Sequence, residues 1–443
     1  MNYITKENFL KNKYIFLIFF FLIIRFFQHS FFELGLNGVS YGYHTPDKFF
    51  LLNDLKNSIL YQHSQPFFYS LYHGIILKIS FGNEKIVEKF FLILNIIFSL
   101  GILIYFFKIL EFFNVNFKIN FLIFIFFSLW PTILFYENLF TYHQILTFLF
   151  TQASFYIFKL LKEKKFKYEL FIYFDIILMS WIWAAITPLL LIVVFIALQF
   201  FLKNFSLKKL ILFTIILSLC LIPSIKNKII FGTISTSSWS GHGFSTTFNP
   251  EWLEFCGHPL NDQNKYEKKY FLQYKKKFEH PYLVGEKSRF NNIGLIVKSN
   301  ECFTKTLSKI KNEPEKYFFT RLMAIIATHG KFPFDFVPQP KNFNKIYNSQ
   351  FVNENYKFLR QIVLLLINTF IYIFIIYNLL FLEVDRKLKY SILIIILMYA
   401  YLFSVSFLFS CCEQERMLYH GYVKLIILFG LMYKKFDNFW LRG

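Results

Sequence analysis

Two acids lie in a polar stretch that separates two apolar runs. Asp47 and Asp54 belong to residues 41–82, which also contain a Gln65-Pro66 corner. Carboxylates and open backbone are costly in hydrocarbon, so this stretch must lie at a membrane–water interface. A carboxylate placed there can orient a nucleophile and accept its proton. Asp47 is therefore a candidate general base, with capping of a loop as the alternative, and Gln65 is a candidate substrate ligand.

Other acids could serve the same site. Asp54 follows Asp47 by about two helical turns, so the two carboxylates could share one helix face; a solvated surface is the alternative for Asp54. Glu137 stands between two apolar runs, where an acid is expensive unless it is paired or functional. The alternative role for Glu137 is to cap a helix at the membrane interface. Tyr142 and His143 follow it and could orient an acceptor, although an interfacial Tyr usually belongs to the aromatic belt.

Cations near the same interface could bind an anionic group such as a phosphate. Arg25 lies inside the first apolar run, where a guanidinium needs an anion, a carbonyl partner or a path to the interface. Glu33 is one acid that could pair with it. Arg416 stands beside two glutamates and could equally form an internal ion pair. Lys226 and Lys228 follow the seventh apolar run, and contact with lipid headgroups is the alternative for both.

Composition predicts a membrane protein. Hydrophobic residues make up 56% of the 443 residues, and the mean hydropathy is +0.43. Apolar runs of roughly 17 to 25 residues, the length that crosses a bilayer, recur along the chain. The net charge of +21 would suggest a nucleic-acid partner in a soluble protein. Here the lysines cluster in short connections between apolar runs, as the positive-inside rule predicts, so no nucleic-acid partner is expected.

These runs predict an all-α membrane protein with about ten transmembrane helices. The predicted spans are 14–31, 88–110, 119–136, 143–160, 169–186, 188–203, 208–224, 358–382, 390–410 and 418–433. The Lys-rich connections fall on one side together with both termini, which indicates a cytoplasmic side. The first outer loop 32–87 and the large outer loop 225–357 then lie on the other face. We expect a multi-pass protein, most simply in a bacterial inner membrane, with its active face outside the cytoplasm.

The chain divides into a transmembrane module 1–224, the extracytoplasmic region 225–357 and the C-terminal helices 358–443. Residues 66–81 are apolar but too short to cross, which predicts a helix lying in the outer interface. Within the outer region, helical spacing over 300–326 is interrupted at Pro314. The same region contains Cys256 and Cys302, which predicts a disulfide if it faces an oxidising space.

The order of these elements resembles the GT-C glycosyltransferases, in particular the protein O-mannosyltransferase and aminoarabinose-transferase enzymes of the family 39 type. The similar segments are QPFFYSLYHGIILKISFG at 65–82, SLWPTILFYENLFTYHQ at 128–144, IPSIKNKIIFGTISTSSWSGHGF at 222–244 and SNECFTKTLSKIKNEPEKYFFTRL at 299–322. The family commonly has two adjacent acids in the first outer loop. This chain has Asp47 followed by Lys48, so the second carboxylate differs from the family pattern.

The resemblance implies transfer of a sugar from a polyprenyl-phosphate donor to a glycan, lipid or protein acceptor. Direct attack by the acceptor inverts the anomeric centre, with a carboxylate as the base. The donor bond supplies the energy, so no cofactor is expected, although a divalent metal is an alternative that no His or acid spacing indicates. Membrane lipids are expected partners.

Two other functional classes fit the composition. One is a transporter or flippase of polyprenyl-linked or other lipids, and the other is a GT-C-like protein without activity. The sequence has no detectable repeat between its halves and no evident pair of helices broken by Gly or Pro at mid-membrane. Both features are typical of transporters.

Overall fold

The structure, a computed structural model, describes residues 6–36, 45–245, 291–329, 354–381, 385–409 and 419–440, with a few isolated residues between 265 and 288. Its regular elements are helices. In chain order they are α1 Lys6–Phe32, α2 Lys48–Asn53, α3 Leu55–Leu60, α4 Phe68–Ile79, α5 Glu84–Phe112, α6 Phe117–Ser128, α7 Pro131–Glu137, α8 His143–Glu163, α9 Phe166–Ile182, α10 Pro188–Leu202, α11 Leu207–Cys220, α12 Ile222–Phe231, α13 Ser240–Ser245, α14 Gly294–Asn312, α15 Pro314–His329, α16 Glu354–Phe381, α17 Arg386–Phe409 and α18 Val423–Trp440.

The described helices that are long and apolar enough to cross a membrane number fewer than the ten predicted spans. Within the described residues, five helices are long and apolar enough to cross on their own, namely α1, α5, α8, α16 and α17. Two bent pairs, α6 with α7 and α11 with α12, raise the number to seven if each pair is one span. The helices α9 and α10 have 17 and 15 residues, at and below the roughly 17 that is the shortest length for a crossing. Ten crossings therefore remain a prediction.

Two spans that the sequence suggested were continuous are broken. The axes of α6 and α7 differ by 53°, and those of α11 and α12 by 49°. Pro131 and Pro223 stand in the first turn of the second helix of each pair. Proline has no backbone N–H and is tolerated in a first turn, where that donor has no helical partner. The described chain therefore contains two helix pairs that bend at a proline, whereas the expected lack of such breaks at mid-membrane stays a prediction.

The Lys-rich connections lie together at one end of the helix bundle. Lys387 at the start of α17 donates to the carbonyl of Lys162 near the end of α8 at 3.5 Å. Lys209 at the start of α11 pairs with Glu169 in the first turn of α9 at 2.9 Å. These contacts agree with the grouping that the sequence predicted. The assignment of this end to the cytoplasm stays a prediction.

The hydrophobic core surrounds α8, whose side chains are mostly buried against α5, α9 and α17. Aromatic side chains fill much of it, and the Tyr136 and Tyr419 rings stack with 4.2 Å between their centres.

The predicted break before Pro314 is confirmed, since Glu313 separates α14 from α15. The side chains of Phe318 and Phe319 on α15 are exposed, as a helix resting on a membrane surface would require.

Candidate functional site

The connection between α3 and α4 meets two distant parts of the chain. The His63 backbone N–H donates to the Asn291 side-chain oxygen at 2.8 Å. The His63 ring lies 2.9 Å from the Ser238 hydroxyl, and the Ser238 N–H donates to the His63 carbonyl at 2.8 Å. Ser237 also donates to the Ser64 carbonyl. We call residues 61–66, 226–227, 235–238 and 291 the polar junction.

Lys226 brings an ammonium group to the polar junction from α12. Its ammonium donates to the carbonyls of Gln62 and, at 3.4 Å, of Ile59. Among the described residues, the oxygen atoms that its ammonium contacts are these two backbone carbonyls. Lys228 differs, because its exposed ammonium donates to the Gly232 carbonyl at 3.2 Å, at the end of its own helix. This contact caps the helix C-terminus.

Several side-chain atoms of the polar junction are buried and have no hydrogen-bond partner among the described residues. They are both amide atoms of Gln62, the Nε2 atom of His63, the amide oxygen of Gln65 and the amide oxygen of Asn227. Asn227 uses its amide nitrogen to donate to the Ser235 carbonyl at 2.7 Å. Native proteins pair the large majority of buried polar atoms, so this concentration requires an explanation.

His63 is neutral in the folded protein. Burial, followed by the nearby charge of Lys226, lowers the pKa of His63 to about 3. Its ring also stands edge-on to the Phe231 ring, with 5.0 Å between the ring centres. The polar junction therefore combines uncharged hydrogen-bonding groups with a single lysine.

The two candidate acids Asp47 and Asp54 both cap helices. Asp47 precedes α2 and its side chain accepts from the Phe49 N–H at 2.8 Å. Asp54 ends α2 and begins α3, and it accepts from the Asn57 N–H at 3.3 Å. The φ and ψ angles of Asp54, −142° and 66°, break the helix. The prediction that Asp47 and Asp54 share one helix face is therefore wrong, because Asp caps compete with helix continuation.

Arg25 forms a buried ion pair with Glu137. The two side chains are 2% and 0% exposed, and the Arg25 Nε lies 2.9 Å from Glu137 Oε2. Arg25 Nη1 donates to the Ser128 carbonyl and to Gln28 Oε1, both at 2.6 Å. The His29 ring lies 3.5 Å from the other carboxylate oxygen. The predicted need of Arg25 for an anion is met by Glu137, which lies 112 residues away, rather than by Glu33.

The turn after Glu137 is tied to α5. Asn95 on α5 donates to the carbonyls of Glu137 and Leu139 at 3.0 and 3.1 Å. On the next turn of α5, Ser99 accepts from the Gln144 amide at 2.5 Å. These bonds hold the start of α8 in a fixed position.

Tyr142 and His143 are core residues rather than members of an aromatic belt. Tyr142 is 5% and His143 1% exposed. The Tyr142 ring lies 5.6 Å from Tyr69 on α4, and the His143 ring lies 5.5 Å from His420. Since α4 begins directly after the polar junction, Tyr69 links that junction to the start of α8.

A charged residue that the sequence reasoning missed is Lys424. It is 8% exposed, and its ammonium donates to the Tyr372 hydroxyl at 3.1 Å and to the Asn368 and Tyr399 oxygens at 3.4 Å each. It also lies over the Tyr372 and Tyr399 rings at 4.8 and 5.1 Å. Its position inside the predicted span 418–433 was the available signal, because a cation within an apolar run needs partners.

Some predicted site residues lie outside the described part of the chain. Arg416 and Cys256 are among them. Cys302 forms a disulfide, and its pairing with Cys256 stays a prediction. Within the described residues, no group of three or more His, Cys, Asp or Glu side chains is placed to hold a metal ion.

Comparison with protein-family models, with curated proteins and with solved structures gives no match for this chain. The resemblance to GT-C enzymes therefore depends on the order of elements and on the quoted motifs. Any activity has to be argued from the geometry of the site.

Proposed function

We propose that this protein is a membrane glycosyltransferase that moves a sugar from a polyprenyl-phosphate donor to a glycan, lipid or protein acceptor. The polar junction is the observation that supports this most. The connection just before segment 65–82 contacts segment 222–244 at this junction, and segment 222–244 contacts the start of segment 299–322 beside it; these segments carry the motifs similar to GT-C enzymes. His63 contacts Ser238 across 175 residues, and the Gly241 N–H donates to Ser299 at 2.9 Å.

In the proposed reaction Asp47 acts as the base. The acceptor O–H or N–H gives its proton to the carboxylate while the acceptor atom attacks the anomeric carbon. The bond from that carbon to the phosphate oxygen breaks, its electron pair leaves with the phosphate, and the anomeric centre inverts. Lys226 is proposed to compensate the charge of the phosphate, because its ammonium contacts only carbonyls among the described residues.

Glu137 has a different role in this proposal. Its carboxylate is fully buried against Arg25, and removing a partner from such a pair leaves an uncompensated charge. We assign Glu137 and Arg25 to positioning the turn between α7 and α8.

The test compares two acids that both cap helices. Purified Asp47→Asn and Asp54→Asn proteins would be incubated in lipid nanodiscs with a panel of synthetic polyprenyl-phosphate hexoses and pentoses, and release of polyprenyl phosphate would be measured. Asn caps a helix about as well as Asp, so both variants should keep the thermal stability of the wild type. Asp47→Asn should lose activity by roughly 10² to 10⁴-fold, as expected for a general base, and Asp54→Asn should remain active. Full activity in Asp47→Asn would contradict the assignment.

Transport of a polyprenyl lipid is the second candidate, and the two bent helix pairs favour it. Helices broken at Pro131 and Pro223 are the kind of element that transporters use around a substrate. Proteoliposomes containing a fluorescent polyprenyl phosphate distinguish the candidates. Accelerated movement of the probe between leaflets, without release of sugar from any donor, would favour the transporter.

A further inference from the structure

The polar junction has more hydrogen-bonding capacity than the described chain uses. Five buried atoms of Gln62, His63, Gln65 and Asn227 have no partner among the described residues. An unsatisfied buried polar group costs about 1–3 kcal/mol, so several of them at one place would be a substantial penalty without a ligand. Gln62 is the clearest case, because its side chain is fully buried and neither amide atom is paired.

The chemistry of these atoms indicates what they would bind. The three amide oxygens of Gln62, Gln65 and Asn227 accept hydrogen bonds, the Gln62 nitrogen donates, and the neutral His63 Nε2 does either according to its tautomer. An acceptor-rich set without charge would repel a phosphate. Hydroxyl groups both donate and accept, and they suit such a set.

The cation stands at the edge of the same set. Lys226 donates to the backbone carbonyl of Gln62, so its ammonium lies beside the residue whose amide is unpaired. A ligand with a hydroxyl-bearing ring attached to a phosphate could satisfy both.

We propose that Gln62, His63, Gln65 and Asn227 form the subsite that binds the hydroxyls of the donor sugar, beside Lys226 for its phosphate. The sugar ring is recognised through hydrogen bonds between its hydroxyl groups and uncharged amides and an imidazole. Naming the ligand as the donor sugar rests on the proposed function. The binding of a neutral hydroxyl-rich ring rests on the unpaired atoms themselves.

The test replaces the Gln62 amide with an apolar side chain of similar size. Gln199→Leu is the matched control, because Gln199 is also buried and also has an unpaired amide oxygen, but lies at the Lys-rich end beside Glu169. Thermal unfolding and equilibrium binding would be measured for purified wild type and variants, with a polyprenyl-phosphate hexose, with polyprenyl phosphate alone and with free hexoses.

Gln62→Leu should be at least as stable as the wild type without ligand, because a desolvated amide is removed. Its affinity for the sugar-bearing lipid should fall roughly ten-fold or more, since a site built to bind hydroxyls loses a partner. Its affinity for polyprenyl phosphate alone should be unchanged. Gln199→Leu should leave both affinities unchanged.

The opposite pattern overturns the inference. If Gln62→Leu is less stable than the wild type and binds the sugar-bearing lipid equally well, the unpaired atoms hold water and not a sugar. If Gln62→Leu fails to fold, Gln65→Leu takes its place in the test. Its affinities for the sugar-bearing lipid and for polyprenyl phosphate alone are then compared with those of the wild type. If the wild type transfers sugar and the variants bind the sugar-bearing lipid as tightly as the wild type does, the subsite is contradicted and the proposed function is not. If the wild type binds free hexose, Gln62→Leu does not, and no sugar is transferred, the proposed function is contradicted and the subsite is not.

Discussion

At the scale of single residues, the Arg25–Glu137 pair should be the most sensitive electrostatic contact among those described above. Both side chains are buried, so replacing Glu137 by Gln leaves a guanidinium without its counter-ion. We expect Glu137→Gln to lower the free energy of unfolding by about 3–5 kcal/mol. Chemical denaturation of the detergent-solubilised protein would measure it.

A double-mutant cycle provides the control. Arg25→Met combined with Glu137→Gln should cost less than the sum of the single changes, because the second change removes the charge that the first left unpaired. The partly exposed Lys159–Glu163 pair, 2.7 Å apart, is the comparison, and Lys159→Gln should change stability far less than Glu137→Gln. Strict additivity of Arg25→Met and Glu137→Gln would show that the pair does not act as a unit.

His63 makes stability depend on pH. Its pKa is about 3 in the folded protein and about 6.5 in an unfolded chain, so below pH 6.5 the unfolded state binds a proton that the folded state does not. Stability should therefore fall as pH falls. Between pH 7.5 and 5 this single group should contribute a loss of about 2 kcal/mol.

The measurement is the free energy of unfolding at both pH values for wild type and His63→Asn, whose amide can still bond Ser238. The variant should lose about 2 kcal/mol less than the wild type over this range. Burial also lowers the pKa of His73 to about 3, so a residual dependence from His73 is expected in both proteins. Equal losses in the two proteins would contradict a neutral buried His63.

At the scale of elements, Gly241 allows α13 to lie directly against α14. A Cβ atom at this position would come within 1.9 Å of the Ser299 carbonyl oxygen, which belongs to the backbone and cannot turn aside. Gly241→Ala should therefore separate the two helices and destabilise the protein by about 1–3 kcal/mol.

Gly101→Ala on α5 is the matched control. Its Cβ would lie 2.5 Å from a ring carbon of Phe148, a side chain that can rotate. Thermal unfolding should show a larger loss for Gly241→Ala than for Gly101→Ala. The reverse order would mean that the contact between α13 and α14 is loose.

The positions of the helices could be predicted from the sequence, and the contacts between them could not. Every predicted span corresponds to a helix or a bent pair, because apolar length is a local property. The break at Asp54 was missed because a capping acid and an acid on a continuous helix face have the same spacing. That Arg25 needed an anion was predictable, whereas Glu137 as its partner was not, since sequence spacing does not tell which helices are neighbours.

At the scale of the whole molecule, the two ends of the helix bundle carry different kinds of polar side chains. The Lys-rich connections meet at one end, and the polar junction belongs to segments that connect at the other. If the positive-inside rule applies, a cysteine placed at exposed Lys164 should react with a membrane-impermeant thiol reagent only after the membrane is permeabilised. A cysteine at exposed Lys305 on α14 should react on intact cells. The reverse labelling pattern would place Asp47 in the cytoplasm and remove the basis for an extracytoplasmic donor.

The ion pair between α1 and α7 also has a consequence for biosynthesis. Glu137 is synthesised 112 residues after Arg25, which at roughly 5–20 residues per second is a delay of about 6–22 s. During that interval α1 must remain in the membrane with its guanidinium uncompensated, held by the apolar residues around it. Only when α7 emerges from the ribosome can the first helix be locked in place. Nascent chains that stop before Glu137 should therefore leave α1 anchored in the bilayer but free to shift and rotate.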